Sequence, residues 1–386
     1  MEATYTPKKN MKLLFAALIL IGIIAVIVAL VTDSQRAWAN ILLNNYYFIT
    51  ISIGALLFYS VQYVTNSGWS ALIQRVPQAV SSFLLIGAGF MLLMYFGLTN
   101  VYEWAQPSIT ETDKLIAHKA PFLNVPFFMI RMVIYFVAFL GIGFLLRKYA
   151  NLEDKTGNIR YYEKSRYYSQ VFIFVAAILF SFASKDWIMT IDSHWYSTLF
   201  GFRNMIISMY YGVAVIILVI LFLRSQGYLA QLNDAHYHDL ARYLFRFSIV
   251  WGYLWFMQFL ILWYANIPEL TAYYYPRFVG EWQGLFYAEL IMNFIIPFLV
   301  MMSDEFGKKP RVLLIISVLL LVGLWVNIYL QIMPGSYGIM TFGFIEIGMW
   351  LGYAGLFTGL VFLALSKASL VPQHHPHLQE SIHHHI

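Results

Sequence analysis

The 386-residue chain contains no cysteine and little charge. Without thiolates it has no ligands for an iron–sulfur cluster or a zinc–thiolate site, and no attachment point for a c-type haem. Only 11% of its residues are charged and 60% are hydrophobic, whereas a soluble domain has about 25% charged residues. Lipid is therefore the expected surrounding of most of the chain.

Histidine is missing from the apolar segments. His118, His194, His236 and His238 fall in hydrophilic loops, and the other six of the ten lie in the C-terminal tail. A haem b inside a membrane needs axial histidines that face each other there, so the chain is not expected to hold one. Any part in electron transfer would depend on a quinone or on partner subunits that carry the metals.

Ten apolar segments are each long enough to span a membrane, which takes about 20 residues for about 30 Å of hydrocarbon. The first has no cleavage-site pattern after it and is interpreted as a retained helix. The sequence predicts an all-α integral membrane protein in which residues 1–370 form one polytopic domain. The segments lie near residues 13–31, 46–64, 79–98, 125–146, 167–184, 204–223, 243–265, 283–302, 312–331 and 340–365.

The distribution of lysine and arginine predicts the orientation. Ten spans put both termini on one side, where sixteen of these residues fall in the termini and short loops, against six on the other side. The positive-inside rule then predicts cytoplasmic termini. Residues 371–386, which are rich in histidine, are predicted to be a disordered cytoplasmic tail.

The densest cluster of charge lies between residues 180 and 202, on the predicted outer side. Lys185, Asp186, Asp192 and His194 occur there within ten residues. An unpaired charge at the bilayer centre costs at least about 2.5–3.5 kcal/mol, so these side chains are expected at the membrane edge or in a wet cavity. We interpret the cluster as the functional centre. The alternative is that the aspartates cap helix ends and Lys185 complements a helix dipole.

Five other helices carry polar side chains in the predicted outer half. Arg131, Glu289 and Glu346 fall roughly 8–13 Å inside the outer boundary at about 1.5 Å per residue, and Gln258 and Asn327 share that half. This coincidence favours one hydrated pocket that opens outward. The alternatives are that Arg131 snorkels to the headgroups, that the two glutamates are neutral acids, and that the two amides join helices.

Two aromatic segments fit the belt of rings found at membrane interfaces. They are N-N-Y-Y-F (44–48) and the tyrosine-rich loop 263–276. The alternative is that they line an access route for a flat, apolar ring ligand.

A resemblance to a known family rests on three stretches of sequence. They are F-A-S-K-D-W-I-M-T-I-D-S-H-W-Y-S-T-L-F-G (182–201), N-V-P-F-F-M-I-R (124–131) and the turn at 303–311. Over nearly its whole length the chain resembles the NrfD-like (polysulfide-reductase membrane-anchor) integral subunits of bacterial alternative complex III. That complex has two such subunits, and the chain resembles the second of them most. The resemblance implies ten helices arranged as two four-helix bundles plus a flanking pair, in a bacterial inner membrane.

The same resemblance implies a role in a quinol:cytochrome c oxidoreductase, with menaquinone as the quinone and no metal cofactor in this chain. The implied partners are an NrfD-like sibling, an iron–sulfur subunit, c-type haem subunits and, in directly coupled complexes, a terminal oxidase. The sibling is the subunit associated with the quinol, so quinol binding by this chain stays open.

Because quinol oxidation releases two protons with two electrons, the site needs proton acceptors and a wet path outward. The alternative functions are a polytopic secondary transporter with a central polar site and a purely structural anchor for redox subunits. The predicted proton pathway consists of Asp186, Asp192, His194, Glu289 and Glu346, with Arg131 and Lys185 as charge partners and Gln258, Asn293 and Asn327 in a polar pocket.

Overall fold

The computed structural model describes residues 4–385 and consists of α-helices joined by short connections. Ten helices are long and apolar enough to cross a membrane, which confirms the prediction of an all-α, multi-pass membrane protein. No strand occurs within residues 4–385. The long helices are α1 (Lys9–Thr32), α2 (Ser34–Val64), α3 (Arg75–Val101), α4 (Val125–Thr156), α5 (Ile159–Trp187), α6 (Thr198–Ser225), α7 (Asp234–Ala265), α8 (Gln283–Met301), α9 (Pro310–Ser336) and α10 (Phe344–Leu365).

The two ends of the described chain meet at one end of the bundle, where Thr4 and Ser369 form an isolated β-bridge. We call this the termini end and the opposite one the far end. Short helical segments occupy the connections: Gly68–Ile73, Glu103–Ala105, Pro107–Thr112, Lys114–Lys119, Met189–Ile191, Pro268–Thr271, Tyr275–Phe278, Asp304–Gly307 and Leu378–Ile382.

Helix α2 is the centre of the bundle. Its most apolar window of 18 residues is entirely buried, and it packs against α1, α5, α6, α9 and α10. Glycines allow the close approach to α6, since Gly54 lies against the backbone of Ser208 and Gly212 against that of Ala55. The helix begins at Ser34, earlier than the predicted start near residue 46, and the polar residues Asn40, Asn44 and Asn45 are buried by protein and are not in a loop.

Helices α1 and α10 form a pair that flanks the others. Their backbones touch where Gly22 meets Gly352, as small residues permit between membrane helices. The other face of α1 is exposed at Leu20, Ile23 and Val31. This face fits contact with lipid.

Two spans are interrupted. Helix α3 contains 3₁₀ segments at Ser81–Phe83 and Met94–Gly97, and α8 contains a π-helical turn at Ile291–Ile295. Pro297 has no N–H to donate to the carbonyl of Asn293, one helical turn earlier. The hydroxyl of Tyr210 on α6 donates to that carbonyl instead, at 3.1 Å. Contact with protein thus supports the break in α8.

The C-terminal tail differs from the disordered chain that the sequence predicts. His375 is 5% exposed and its Nε2 lies 3.1 Å from the side-chain amide of Gln74. Ser381 is buried and donates to the carbonyl of Trp69 at 2.6 Å, while His384 contacts Asp239 at 2.7 Å. Contacts with tyrosine, amide and carboxylate groups of the bundle therefore hold the tail against the termini end.

Candidate functional site

Four arginine–carboxylate pairs lie at the far end of the bundle, near the ends of the helices that supply them. In each pair at least one partner is buried, so each arginine compensates a charge that would be costly in lipid. The four carboxylates are the ones that the sequence assigned to a proton pathway. The pairs are Arg36–Glu346, Arg131–Asp186, Arg203–Glu289 and Arg277–Asp192.

The pair between α4 and α5 is almost fully buried. Nε of Arg131 donates to Oδ2 of Asp186 at 2.7 Å and a second guanidinium nitrogen contacts Oδ1 at 3.2 Å. Tyr135, one turn along α4, donates to the same carboxylate at 2.7 Å. The guanidinium also lies over the rings of Phe122 and Phe127. The predicted partnership of Arg131 with the cluster is thus present, as a two-point contact shielded by aromatic rings.

Glu346, in the first turn of α10, is held by four donors. Arg36 donates to its two oxygens at 2.8 and 2.7 Å, Asn40 donates at 3.2 Å and the backbone N–H of Gly343 at 2.9 Å. Asp33 fixes the position of Arg36, since its side chain caps the start of α2 by accepting from the Arg36 N–H at 3.0 Å. Four hydrogen bonds, two of them from a charged guanidinium, thus hold this carboxylate in place.

Glu289 on α8 has a looser charge partner. Trp255 donates to Oε1 at 2.8 Å and Asn327 to Oε2 at 2.7 Å, but the nearest nitrogen of Arg203 is 3.6 Å away. Asn327 in turn accepts from Gln331 at 2.7 Å. Neutral donors from α7 and α9 therefore supply the direct hydrogen bonds, and the arginine adds a more distant charge.

Asp192 lies close to this network. A guanidinium nitrogen of Arg277 is 3.3 Å from its Oδ2, and Nε of the same arginine donates to the carbonyl of Leu330 at 2.7 Å. The guanidinium also stacks over the ring of Tyr273. Because Leu330 lies on the same turns of α9 as Asn327, one stretch of α9 connects the Glu289 and Asp192 pairs. The side chain of Asp192 is 28% exposed, so the connected groups reach the surface.

His194 and Lys185 lie outside these pairs. His194 is 55% exposed and contacts Asp113 at 2.8 Å. The backbone N–H groups of Ile116 and Leu115, together with His194, hold the pKa of Asp113 below its usual value.

Lys185 was predicted to be a charge partner, but it has no ion pair in the described part of the chain and lies 5.7 Å from the ring of Phe182. The arginines supply the compensation instead.

The predicted polar-pocket amides are buried at separate contacts. Gln258 accepts from Ser197 at 2.9 Å, and Asn293 donates to the carbonyl of Gly323 at 3.2 Å. Only Asn327 contacts a predicted proton-pathway carboxylate. Gln258 and Asn293 join helices, which is the alternative interpretation for such residues.

Sequence reasoning missed two groups of residues. Arg36, Arg203 and Arg277 were counted as loop charges, yet each pairs with a carboxylate. On that side ten acidic residues face seven basic ones, and this excess of carboxylates was a signal that the arginines have partners there. The segment 44–48 was interpreted as an interfacial belt or an access route. The belt interpretation is wrong, because these residues are buried in α2, where Tyr46 donates to Asn204 at 3.0 Å. The access route stays a prediction, and Tyr47 and Phe48 line an apolar cavity.

An apolar groove of about 480 Å³ lies beside Glu289. Residues of α7 and α8 line it, including Trp255, Phe256 and Phe294. The indole of Trp255 has one face on this groove and donates its N–H to Glu289. The groove fits a flat, apolar ring, and Trp255 separates that space from the carboxylate.

Within residues 4–385, no group of three or more histidine, aspartate and glutamate side chains is arranged to hold a metal ion. The chain matches no protein-family model, and no curated protein matches it in sequence.

Proposed function

We propose that this chain is the membrane subunit of a quinol:cytochrome c oxidoreductase of the alternative complex III type, in which it supplies a proton pathway and a scaffold. It lies in a bacterial inner membrane with both termini in the cytoplasm. Its partners are an NrfD-like sibling, an iron–sulfur subunit, c-type haem subunits and, in coupled complexes, a terminal oxidase. The support is the resemblance described above and the charged groups at the far end.

The setting of Glu289 is the observation that carries the proposal. Glu346 and Asp186 each have an arginine at 2.7 Å, whereas Arg203 lies 3.6 Å from Glu289. A carboxylate with neutral donors and a distant cation changes protonation at lower cost than a tightly paired one. Glu289 is therefore the group that takes up and releases a proton, and the Asp192 pair leads from it to the far surface.

The apolar groove beside Trp255 is the quinone pocket in this proposal, with menaquinone as its ligand. Tyr253 and Phe256 in its wall are exposed, so a ligand dissolved in the lipid has access from the side. When bound, the quinol supplies two electrons and two protons. Trp255 orients the ring, and Glu289 accepts a proton from a ring hydroxyl brought within reach.

In this proposal the proton pathway continues along helix α2 towards the termini end. It spans about 40 Å from Arg36 to Tyr63, at about 1.5 Å per residue, and Tyr63 donates to buried Glu153 at 3.5 Å. Buried hydroxyls with no hydrogen bond in the described chain lie along this region, and such groups commonly bind internal water. They are Ser60, Ser165, Ser169 and Tyr211.

The helix contacts support the implied grouping. In one set, α2 packs with parts of α3 and with α5, and α4 packs with α5. In a second set, α6, α7, α8 and α9 pack among themselves. Helix α1 packs with α10. These contacts support two four-helix bundles and a flanking pair, which meet where α2 and α5 pack against α6.

Substitution of Glu289 tests the proposal. In the purified complex, Glu289→Gln lowers quinol-dependent electron transfer and proton release by at least about tenfold, since a positioned acid–base group contributes about 10²–10⁴-fold. Glu289→Asp, which keeps the carboxylate, retains part of the rate. The matched control is Glu281→Gln, which removes an exposed carboxylate nearby. Unchanged turnover in a fully assembled Glu289→Gln complex would instead identify a structural anchor.

A secondary transporter is the second candidate, and the break in α8 favours it. Transporters often place their sites at interrupted helices near the midplane, and the buried Oδ1 of Asn293 in the π-helical turn forms no hydrogen bond in the described chain. Gentle purification separates the two functions. Haem c absorption with several co-purifying subunits supports the oxidoreductase, and a colourless, solitary protein supports the transporter.

A further inference from the structure

A polar cavity of about 280 Å³ opens at the termini end between α3, α4 and α10. It lies far from the four arginine–carboxylate pairs. Its walls come from the first turns of α3, the last part of α4 and the chain that leaves α10. The cavity is therefore at the height of one membrane–water interface.

Three cations line this cavity, and no carboxylate does. They are Arg75, Arg147 and Lys367. Asp154 pairs with Arg75 from outside the cavity. Arg147 donates to the backbone carbonyl of Gln78 at 2.7 Å, but neither it nor Lys367 has an ion pair in the described part of the chain. Two positive charges, on half-buried Arg147 and exposed Lys367, are thus left without an ion pair at this cavity.

The remaining walls are of two kinds. Ser82 and Asn151 add polar groups, and the hydroxyl of Ser82 forms no hydrogen bond within the described chain. Leu360 and Leu363, on the last turns of α10, form an apolar wall on the membrane side, where Leu363 is exposed. The cavity therefore combines anion-binding donors with a path for a hydrocarbon chain.

We propose that this cavity binds the phosphate group of an anionic phospholipid, with Arg147 and Lys367 contacting the phosphate and an acyl chain lying along Leu360 and Leu363. Basic pockets between membrane helices bind anionic headgroups in this way. Two uncompensated cations match one phosphate with a second negative group, or the two phosphates of a cardiolipin. The site does not depend on the proposed part in quinol oxidation.

Binding of labelled cardiolipin to the purified full-length chain, in a detergent or nanodisc with zwitterionic lipid, tests this site. We expect saturable binding that Arg147→Gln and Lys367→Gln each weaken by about fivefold, equivalent to about 1 kcal/mol per basic residue near anionic headgroups. Lys148→Gln is the matched control. It removes the same charge from the next residue of α4, which is exposed and does not line the cavity.

Two results would overturn the proposal. One is equal lipid affinity for the wild type, Arg147→Gln and Lys367→Gln, which would mean that the lipid is held only by the general charge of this surface. The other is displacement of the lipid by inorganic phosphate at comparable concentration, which would identify a site for free phosphate. Lys367 is exposed, so Lys367→Gln is not expected to affect folding. If Arg147→Gln does not fold, Arg147→Lys is the variant to measure, because it keeps the charge.

Discussion

Helices α1 and α2 are neighbours in sequence and opposites in environment. Within its most apolar window α1 is 17% buried and α2 is 100% buried. Helix α1 has no charged residue between Lys12 and its end at Thr32, while α2 carries asparagine, tyrosine, serine and threonine along its length. In this bundle the more apolar helix faces outward and the more polar one is central.

The difference follows from what solvates each helix. Lipid cannot donate or accept hydrogen bonds, so an outward-facing helix must be apolar. Inside the bundle polar side chains find partners, as Asn45 does with the carbonyl of Gly87 at 3.0 Å. Polar residues therefore mark the protein-facing helix, and close packing of backbones holds it there.

The largest expected loss of stability comes from a substitution that separates α2 from α6. At Gly54 an added Cβ meets the backbone of Ser208, which cannot move aside as a side chain can. We expect Gly54→Val to cost at least about 3 kcal/mol, the upper range of overpacking, and to leave little folded protein. The measurement is the yield of monodisperse protein and its thermal midpoint in detergent.

Gly89→Val is the matched control, since an added Cβ at this exposed α3 position meets nothing within 4 Å. We expect its thermal midpoint to stay near that of the wild type. Similar losses for both variants would mean that β-branching in these helices, and not the contact of α2 with α6, limits stability.

A comparable effect, which a second substitution should largely reverse, is expected from the buried pair of α4 and α5. Arg131→Met leaves the carboxylate of Asp186 buried without its cation, which costs about 3–5 kcal/mol. Adding Asp186→Leu removes the unpaired charge, so the double variant should recover much of the loss. Thermal unfolding of the single and double variants measures both steps.

Arg242→Met supplies the comparison for an exposed pair. Arg242 is 44% exposed and 3.4 Å from Asp239, so its removal should cost less than about 1 kcal/mol. A double variant at positions 131 and 186 that is no more stable than Arg131→Met would contradict the view that the penalty comes from an unpaired charge.

The spans were predictable from the sequence because lipid requires a minimum apolar length of each one. Apolar length identified all ten, because every spanning helix must satisfy that requirement. The start of α2 was missed for the same reason: Asn40, Asn44 and Asn45 are polar and buried by other helices, and hydropathy does not distinguish protein from water as the surrounding of a polar residue.

The carboxylates at the far end were also predictable, since charge within an apolar pattern is rare and costly. Their partners were not. Arg203 lies on α6 and Glu289 on α8, while Arg277 and Asp192 come from two different helix connections. The pairing therefore depends on which spans are neighbours in the bundle. Apolar length contains no information about neighbours.

The smallest effect, local and dependent on pH, is expected where the tail covers the end of α2. The ring of His375 lies 5.7 Å from that of Tyr63, on the last turn of α2. Burial, with smaller contributions from His377 and Arg75, lowers the pKa of His375 from 6.5 to about 3. The released tail therefore binds a proton that the docked tail does not, in the range between these two values.

The stabilisation of the docked tail is complete above pH 6.5 and is lost as the pH falls towards 3. Each pH unit in that range corresponds to about 1.4 kcal/mol, or tenfold in the opening equilibrium. Hydrogen exchange of residues 371–385, corrected for its intrinsic pH dependence, should show this increase, while the amides of central α2 should not. His375→Asn, which does not titrate, should flatten the dependence. If His375→Asn shows the same pH dependence of exchange as the wild type, another histidine controls the release of the tail. Docking of the tail at this end of α2 then does not depend on a neutral imidazole at position 375.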